Sequence, residues 1–151
     1  MTSSATIQLP QPTAILWDLD GTLIDQTAAI IRCYREVILD MGYPQPDDNS
    51  IRRSLGGIMA ATMGLFVEAE HLDEACKAFR VRFPKIMFDD LILLAGGEEL
   101  IERAYKAHIP QVLFTNKHGE TARKVSRYVG FAKYIPICIG SADTQWQKPQ
   151  L

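Results

Sequence analysis

The second half of the sequence alternates between helical periodicity and short apolar runs, and this alternation restricts the fold more than any other feature. Helical segments are predicted over 98–108 and 119–129, and apolar runs follow them at 111–115 and 134–140. Strands that alternate with helices of this length form parallel sheets, in which each helix crosses back over the sheet. Pro136 cannot donate a ladder hydrogen bond, which places the last strand at a sheet edge.

A similar apolar run lies far upstream, and the sequence between it and the later strands is helical. Residues 13–18 are typical of a strand that is buried on both faces, whereas helical periodicity dominates residues 26–92. The sequence therefore predicts an α/β fold, a three-layer Rossmann-like parallel sheet with an inserted all-helical cap. We assign residues 1–22 and 97–151 to the core, incomplete at its C-terminus, and residues 23–96 to the cap.

Proline and glycine set the expected limits of the cap helices. The first helix is predicted over 26–41, and the segment PQPDDNS at 44–50 reads as a loop. A later apolar stripe predicts a helix over 72–83. We expect that helix to end before Pro84, because an internal proline removes a helical hydrogen bond and clashes with the preceding turn.

Charge and composition exclude several classes of function. Sixteen Lys and Arg stand against eighteen Asp and Glu, which gives a net charge of −2 and no basic excess for nucleic acid or an anionic membrane. The sequence shows neither an apolar run of roughly 18 residues nor a signal peptide. The scattered Cys33, Cys76 and Cys138 indicate buried, reduced thiols. We expect a cytoplasmic protein with no nucleic-acid or membrane partner.

The strongest chemical signal is the sequence DLDGT at the end of the first strand. Alternate residues of a strand point the same way, so Asp18 and Asp20 project together with Cβ atoms about 6–7 Å apart. At the carboxyl end of a parallel strand, the pair faces the crevice in which open α/β sheets bind ligands. A D-x-D pair on its own is more often a polar turn, so its interpretation depends on the other strand ends.

Polar residues suited to phosphate chemistry follow the next two strands. The run LFTNK places Thr115 and Asn116 at the end of one strand, and QKP supplies Lys148 after the other. Two carboxylates, a hydroxyl and an ammonium are the groups that phosphoryl transfer requires, because that reaction depends on positioning and on neutralising oxygen charge.

In this order, DLDGTLID, FTNK and KP resemble the first three motifs of the haloacid dehalogenase superfamily, and the insertion resembles the small helical cap of its phosphoglycolate phosphatase-like branch. The resemblance implies that Asp18 is the nucleophile that forms an aspartyl-phosphate and also ligates Mg²⁺. It implies that Asp20 is the general acid and base, with its backbone carbonyl as a second Mg²⁺ ligand. Thr115 and Asn116 would bind the phosphoryl group, and Lys148 would neutralise its charge.

The same resemblance bears on the substrate. Members that dehalogenate carbon lack the second carboxylate, so Asp20 favours a Mg²⁺-dependent phosphatase for a small phosphorylated metabolite, with phosphoglycolate-like esters suggested by the branch. Arg52 and Arg53 lie in the cap, where the branch places substrate-recognising residues, and they are either ligands of a substrate carboxylate or a solvated helix face. A phosphomutase and a non-catalytic binding or interaction protein remain as alternatives.

The sequence departs from the family pattern at its end. Members of the family continue to an acidic pair that completes the Mg²⁺ shell, whereas this chain stops at Leu151. Asp143 is the one carboxylate left to consider for that role. We expect the 151-residue chain to be inactive on its own, whether it is a truncated form or a natural short homologue. Its first strand, without a neighbour, would pair with another chain, and the oligomeric state stays open.

Overall fold

The computed structural model describes residues 12–149, so the assignment of residues 1–11 and 150–151 to the core lies outside the described residues. Between residues 12 and 149, no helix combines the length and the apolar character that crossing a bilayer requires. The elements are, in chain order, β1 (Ile15–Trp17), β2 (Ile24–Asp25), α1 (Thr27–Asp40), α2 (Asp48–Ser54), α3 (Met59–Met63), α4 (Leu72–Ile86), β3 (Ile92–Leu93), α5 (Gly97–Lys106), β4 (Gln111–His118), α6 (Gly119–Tyr128) and β5 (Ile137–Ser141).

Three of the strands form a parallel sheet in the order β1, β4, β5. Leu16 pairs with Val112, which in turn pairs with Ile137, so the three side chains lie in one row across the sheet. Among the described strands β5 is at an edge, in agreement with the prediction from Pro136. The predicted fold, an α/β parallel sheet with an inserted helical cap, is confirmed.

The helices that connect these strands lie on one face of the sheet. Right-handed crossovers that step in one direction, from β1 to β4 to β5, place α5 and α6 on the same side. Gln111 is buried on that side and donates to the Ile101 carbonyl of α5 at 3.1 Å. The opposite face carries Leu16 and Ile137, which are 70% and 53% exposed. The sheet therefore has one well-covered face and one that presents apolar side chains.

The cap is held together by the apolar stripes of α1 and α4. The ring of Tyr34 lies 4.6 Å from that of Phe79, and burial raises the pKa of the Tyr34 hydroxyl. The Cys33 thiol donates to the Phe79 carbonyl at 3.9 Å, and burial raises its pKa to about 12. All three cysteines are free. Cys33 and Cys76 are buried as predicted, whereas Cys138 is only partly buried.

Two predictions for the cap are wrong in detail. The expected loop at 44–50 contains the beginning of α2, because Asp47 is an N-cap whose carboxylate accepts from the Ser50 N–H at 3.0 Å. Helix α4 continues through Pro84 to Ile86. A proline this close to the end of a helix interrupts the hydrogen bonding only near a terminus, where the helix would fray in any case.

The cap joins the core through two chain segments that pair with each other. Strands β2 and β3 form an antiparallel ribbon in which Ile24 is opposite Leu93. Next to the ribbon, the buried side-chain amide of Gln26 donates to the Met87 carbonyl just beyond α4. The two crossings between core and cap are therefore one hydrogen-bonded unit.

Candidate active site

Asp18 and Asp20 follow β1 on a tight turn at the carboxyl edge of the sheet. Leu19, between them, is fully buried, and its carbonyl accepts from the Leu23 N–H at 3.0 Å. Gly21 has a φ of 77°, a left-handed conformation that other residues rarely adopt. The turn buries Leu19 and leaves both carboxylates partly exposed at the rim of the sheet.

Asp18 has a lysine partner from the segment after β5. Lys148 Nζ lies 2.8 Å from Asp18 Oδ1. The Lys148 ammonium is 5.8 Å from the centre of the Phe114 ring, which contributes a second favourable contact for its charge. The structure thus brings together the first and the last of the predicted site residues, which are far apart in sequence.

Asn116 holds the segment that carries Lys148. Its Nδ2 donates to the Lys148 carbonyl at 3.0 Å, and its Oδ1 accepts from the Lys148 N–H at 3.0 Å. The same Nδ2 donates to the Gly56 carbonyl, in the cap, at 2.9 Å. Asn116 therefore links the core strand, the Lys148 segment and the cap, whereas the sequence suggested a direct phosphate ligand.

Asp20 also has a lysine partner, which the sequence reasoning missed. Lys117 Nζ lies 3.1 Å from Oδ1 and 3.0 Å from Oδ2 of Asp20, and the Lys117 side chain is only 8% exposed. Lys117 directly follows Thr115 and Asn116 in the run LFTNK, so its place near the site could be read from the sequence, but its partner Asp20 could not.

Thr115 is buried beneath this cluster. Its hydroxyl oxygen accepts from the Lys117 N–H at 3.1 Å, which fixes the oxygen at the end of the regular β4 ladder. The hydroxyl hydrogen can still be donated, since accepting a hydrogen bond leaves the O–H free to rotate toward a ligand.

The predicted core residues line one crevice of about 840 Å³ between the core and the cap. Apolar residues of the cap form much of the opposite wall. The wall residues from α1, α3 and α4, with the loop before α3, include Ile30, Tyr34, Leu55, Met59, Phe79 and Phe83. The crevice thus has a polar floor of paired charges and an apolar roof.

The cap arginines singled out in the sequence do not line this crevice. Arg52 and Arg53 are exposed on α2, and Arg53 Nε donates to the Asn49 carbonyl within its own helix. Arg80 of α4 lines the crevice instead. The position of the first two supports the interpretation as a solvated helix face.

Asp143 has a structural role in this arrangement. Both of its oxygens contact the Arg123 guanidinium, at 2.6 and 3.1 Å, and Oδ2 also accepts from the Gly140 N–H at 2.9 Å. Hydrogen bonding to Arg123, followed by that to Gly140, lowers the pKa of the Asp143 carboxyl below its usual range. Asp143 closes the turn after β5 and is not among the residues that line the crevice.

The donor set at the floor of the crevice suits a hard cation. A carboxylate oxygen of Asp18 and the backbone carbonyl of Asp20 are oxygen ligands of the kind that Mg²⁺ takes, with water filling its remaining positions. Among residues 12–149 the one group of three clustered acidic or histidine ligands is Glu68, Glu70 and His71, none of which lines the crevice. The described residues thus fit a magnesium ion held by few protein ligands.

A parallel α/β sheet with paired carboxylates at a strand end, opposite lysines and a helical cap defines a class of phosphate-handling hydrolases. The sequence profile of the haloacid dehalogenase-like hydrolase family matches residues 15–151. The chain belongs to this family.

Two relatives are about a quarter identical to this chain over the residues that match. The tyrosine-protein kinase PtkA of Mycobacterium tuberculosis is 25% identical over 131 residues, which are 87% of this chain and 45% of that protein. The N-acetylmuramic acid 6-phosphate phosphatase of Pseudomonas putida is 26% identical over 140 residues, 90% of this chain and 63% of that protein. The chain thus spans about half to two thirds of the length of these relatives.

Solved structures show the same fold. A haloacid dehalogenase-like family hydrolase from Streptococcus pneumoniae superimposes with a TM-score of 0.78 at 24% identity and covers 86% of this chain and 61% of its own. The PtkA structure from Mycobacterium tuberculosis superimposes with a TM-score of 0.74 at 26% identity, over 90% of this chain and 63% of that one.

Proposed function

We propose that this protein is a Mg²⁺-dependent phosphatase that hydrolyses small phosphate monoesters through an aspartyl-phosphate on Asp18. One observation supports this proposal most directly. The two carboxylates at the crevice floor each have their own lysine, Lys148 at 2.8 Å from Asp18 and Lys117 at 3.0 Å from Asp20. Because the negative charge of each carboxylate is paired with its own lysine, the two can take separate roles, one as nucleophile and one in proton transfer.

In the first step, a carboxylate oxygen of Asp18 forms a bond to phosphorus while the bond from phosphorus to the ester oxygen breaks. Asp20 gives its proton to that departing oxygen, which leaves as an alcohol. Lys148 offsets the negative charge that the phosphoryl group brings to Asp18, and the Thr115 hydroxyl can donate to a phosphoryl oxygen. A bound Mg²⁺ would add charge neutralisation at the phosphoryl oxygens.

In the second step, a water molecule attacks the phosphorus of the acyl-phosphate, and Asp20 takes up the proton of that water. The bond between phosphorus and the Asp18 oxygen breaks, which releases inorganic phosphate and restores the carboxylate. Asp20 thus ends the cycle protonated and ready for the next ester. The apolar roof formed by the cap, including Tyr34 and Phe79, would limit competing water around the reacting group.

The substrate class remains open within phosphate monoesters. Phosphoglycolate phosphatases are among the relatives, as are the N-acetylmuramic acid 6-phosphate phosphatase and a 5'-nucleotidase. The phosphoglycolate-like substrate suggested by the sequence is therefore one of several candidates. A crevice of about 840 Å³ has room for leaving groups larger than glycolate.

The deciding experiment is a turnover assay of the full-length gene product against a panel of phosphorylated metabolites and an aryl phosphate, with Mg²⁺ and with EDTA. We expect Mg²⁺-dependent release of inorganic phosphate. Transfer between two hydroxyls of one substrate would identify a phosphomutase, and transfer from ATP to a tyrosine would align the chain with PtkA. Tight substrate binding without any turnover would indicate the binding protein.

A further inference from the structure

Lys117 is the most deeply buried charged group at the crevice, and the proposed function treats it only as the cation that compensates Asp20. Its ammonium lies between the Asp20 carboxylate and the ring of Phe83, whose centre is 5.0 Å away. On the basis of the proposed function, we infer that Lys117 is a positioning residue for Asp20. It holds the proton-transfer carboxylate in place and connects that placement to the cap.

The contact between the two side chains fixes the orientation of the carboxylate. One ammonium contacts both Asp20 oxygens, at 3.0 and 3.1 Å, so turning the carboxylate about its bond to Cβ would break at least one contact. A lysine that is 8% exposed also needs a partner, because an unpaired buried charge is strongly unfavourable. Each group therefore constrains the other.

Lys117 itself is held by β4, between Phe114 and His118, which both pair with β5. Its backbone N–H donates to the Thr115 hydroxyl oxygen at 3.1 Å. Asp20, by contrast, lies on the turn after β1, next to Gly21 with its φ of 77°. A side chain on a strand end can thus fix one on a turn, which is the arrangement that precise positioning of a reactive group requires.

The geometry is compatible with both protonation states of Asp20. A lysine ammonium has three donors, so it can keep one Asp20 oxygen while the other carries the proton that goes to the departing alcohol. After that transfer, both oxygens are free to accept from Lys117 again. Lys117 can therefore hold Asp20 through both steps without exchanging a proton itself.

Phe83 makes this placement dependent on the cap. It belongs to α4, whereas Lys117 and Asp20 belong to the core. The face of an aromatic ring attracts a nearby cation, most strongly where water is excluded. A shift of α4 relative to the core would change the surroundings of Lys117 and, through it, the position of Asp20.

The test is kinetic, with Lys117→Met in the full-length gene product. Methionine keeps the length and the apolar stem but removes the charge. We expect kcat to fall at least about tenfold and KM to change less than about twofold. The loss would be a part of the roughly 10²–10⁴-fold rate enhancement that general acid–base catalysis supplies. Lys117→Arg should recover part of the rate.

Lys133→Met is the matched control. Lys133 also places an ammonium over an aromatic ring, that of Tyr134 at 4.4 Å, but it is exposed and does not line the crevice. It should leave both kcat and KM unchanged. A Lys117→Met variant with unchanged kcat, or with a change in KM alone, would overturn the proposal.

A second measurement does not require turnover. In a double-mutant cycle, Tm is measured for Lys117→Met, for Asp20→Asn and for the double variant. The decrease in Tm of the double variant should be smaller than the sum of the decreases of the two single variants. Additive losses would show that the two residues are not coupled and would also refute the inference. If wild-type protein hydrolyses no ester, the proposed function fails but the cycle still tests the coupling. If Lys117→Met does not fold, Lys117→Gln is used in its place.

Discussion

The side-chain amide of Asn116 bonds to both backbone groups of Lys148. Asn116 Nδ2 donates to the Lys148 carbonyl and Oδ1 accepts from the Lys148 N–H, each at 3.0 Å. The side-chain amide thus makes the same two hydrogen bonds that a neighbouring strand would make to the backbone of Lys148. It attaches the Lys148 segment to the end of β4 as a paired strand would. The ammonium that faces Asp18 is thus placed by an amide 32 residues away in sequence.

Asn116→Ala should weaken catalysis through Lys148. Without the amide, the segment after β5 loses both of these hydrogen bonds, and Lys148 is no longer held at 2.8 Å from Asp18. We expect kcat to fall by up to about 100-fold, as for other small misplacements of a catalytic group. Unfolding free energy should fall by about 1–3 kcal/mol. Steady-state kinetics and urea denaturation measure the two effects.

Asn49→Ala, on exposed α2, is the control for the asparagine variant. It should leave kcat unchanged and should change the unfolding free energy by no more than about 0.5 kcal/mol. Should Asn116→Ala retain full activity, Lys148 must reach its position without the amide, and the ladder-like pairing would be of no functional importance.

Asp18→Asn should abolish turnover in the full-length gene product, because an amide does not form an acyl-phosphate. Beryllium fluoride should bind the wild-type protein as a mimic of the phosphorylated aspartate and should not bind the variant. Phosphate release and ¹⁹F NMR follow the two outcomes. If Asp18→Asn kept near wild-type turnover and Asp20→Asn were inactive, the roles proposed for the two aspartates would be wrong.

Asp143 should contribute pH-dependent stability to the turn after β5. Arg123 lowers the pKa of Asp143 in the folded state, so its contribution is present above the ordinary value of 3.8 and is lost as the pH falls through the lower, folded-state value. Asp143→Asn should therefore cost about 0.5–1 kcal/mol at neutral pH, and the difference from wild type should vanish in strong acid. Urea denaturation from pH 7 to pH 2 measures it.

Glu68→Gln, on the exposed surface of the cap, provides the comparison for that titration. A constant difference between wild type and Asp143→Asn at every pH would mean that the asparagine acts through shape, and the ion pair with Arg123 would then contribute nothing to stability.

The isolated 151-residue chain should show no Mg²⁺-dependent turnover and should associate through β1. Its described residues offer Mg²⁺ few ligands. The edge of β1 away from β4 pairs with no described strand and is a template for strand pairing, and Leu16 on the adjoining face is 70% exposed. Leu16→Lys should shift size-exclusion elution toward the monomer. Leu65→Lys, which replaces an exposed leucine of the cap, should not. Robust turnover by a monomer would contradict both expectations.

Local patterns in the sequence were enough to predict the sheet, the cap and the crevice floor. Strand periodicity and strand order place Asp18, Asp20 and Thr115 at the same edge, because parallel strands have their carboxyl ends together. The long-range partners were out of reach. Lys117 contacts Asp20 across 97 positions, and Asn116 contacts Gly56 across 60. Such pairs depend on how the cap and core pack, which no local periodicity records.

The error at α2 has a different cause. Residues 44–50 are rich in proline and aspartate, which favour loops, yet Asp47 satisfies the Ser50 N–H and begins a helix. The same residue types end one element and start the next. Only the structure shows which of the two applies.

The ribbon of β2 and β3 also makes the cap a removable part. Ile24 and Leu93 are cross-strand neighbours, so the two ends of the insertion lie about 5 Å apart, the spacing of paired strands. A two-residue hairpin could join them directly and delete everything between, because such turns close antiparallel strands. The sheet and its aspartates would keep their connectivity. Caps of other sizes can thus be grafted at this one junction without changing the order of the sheet strands.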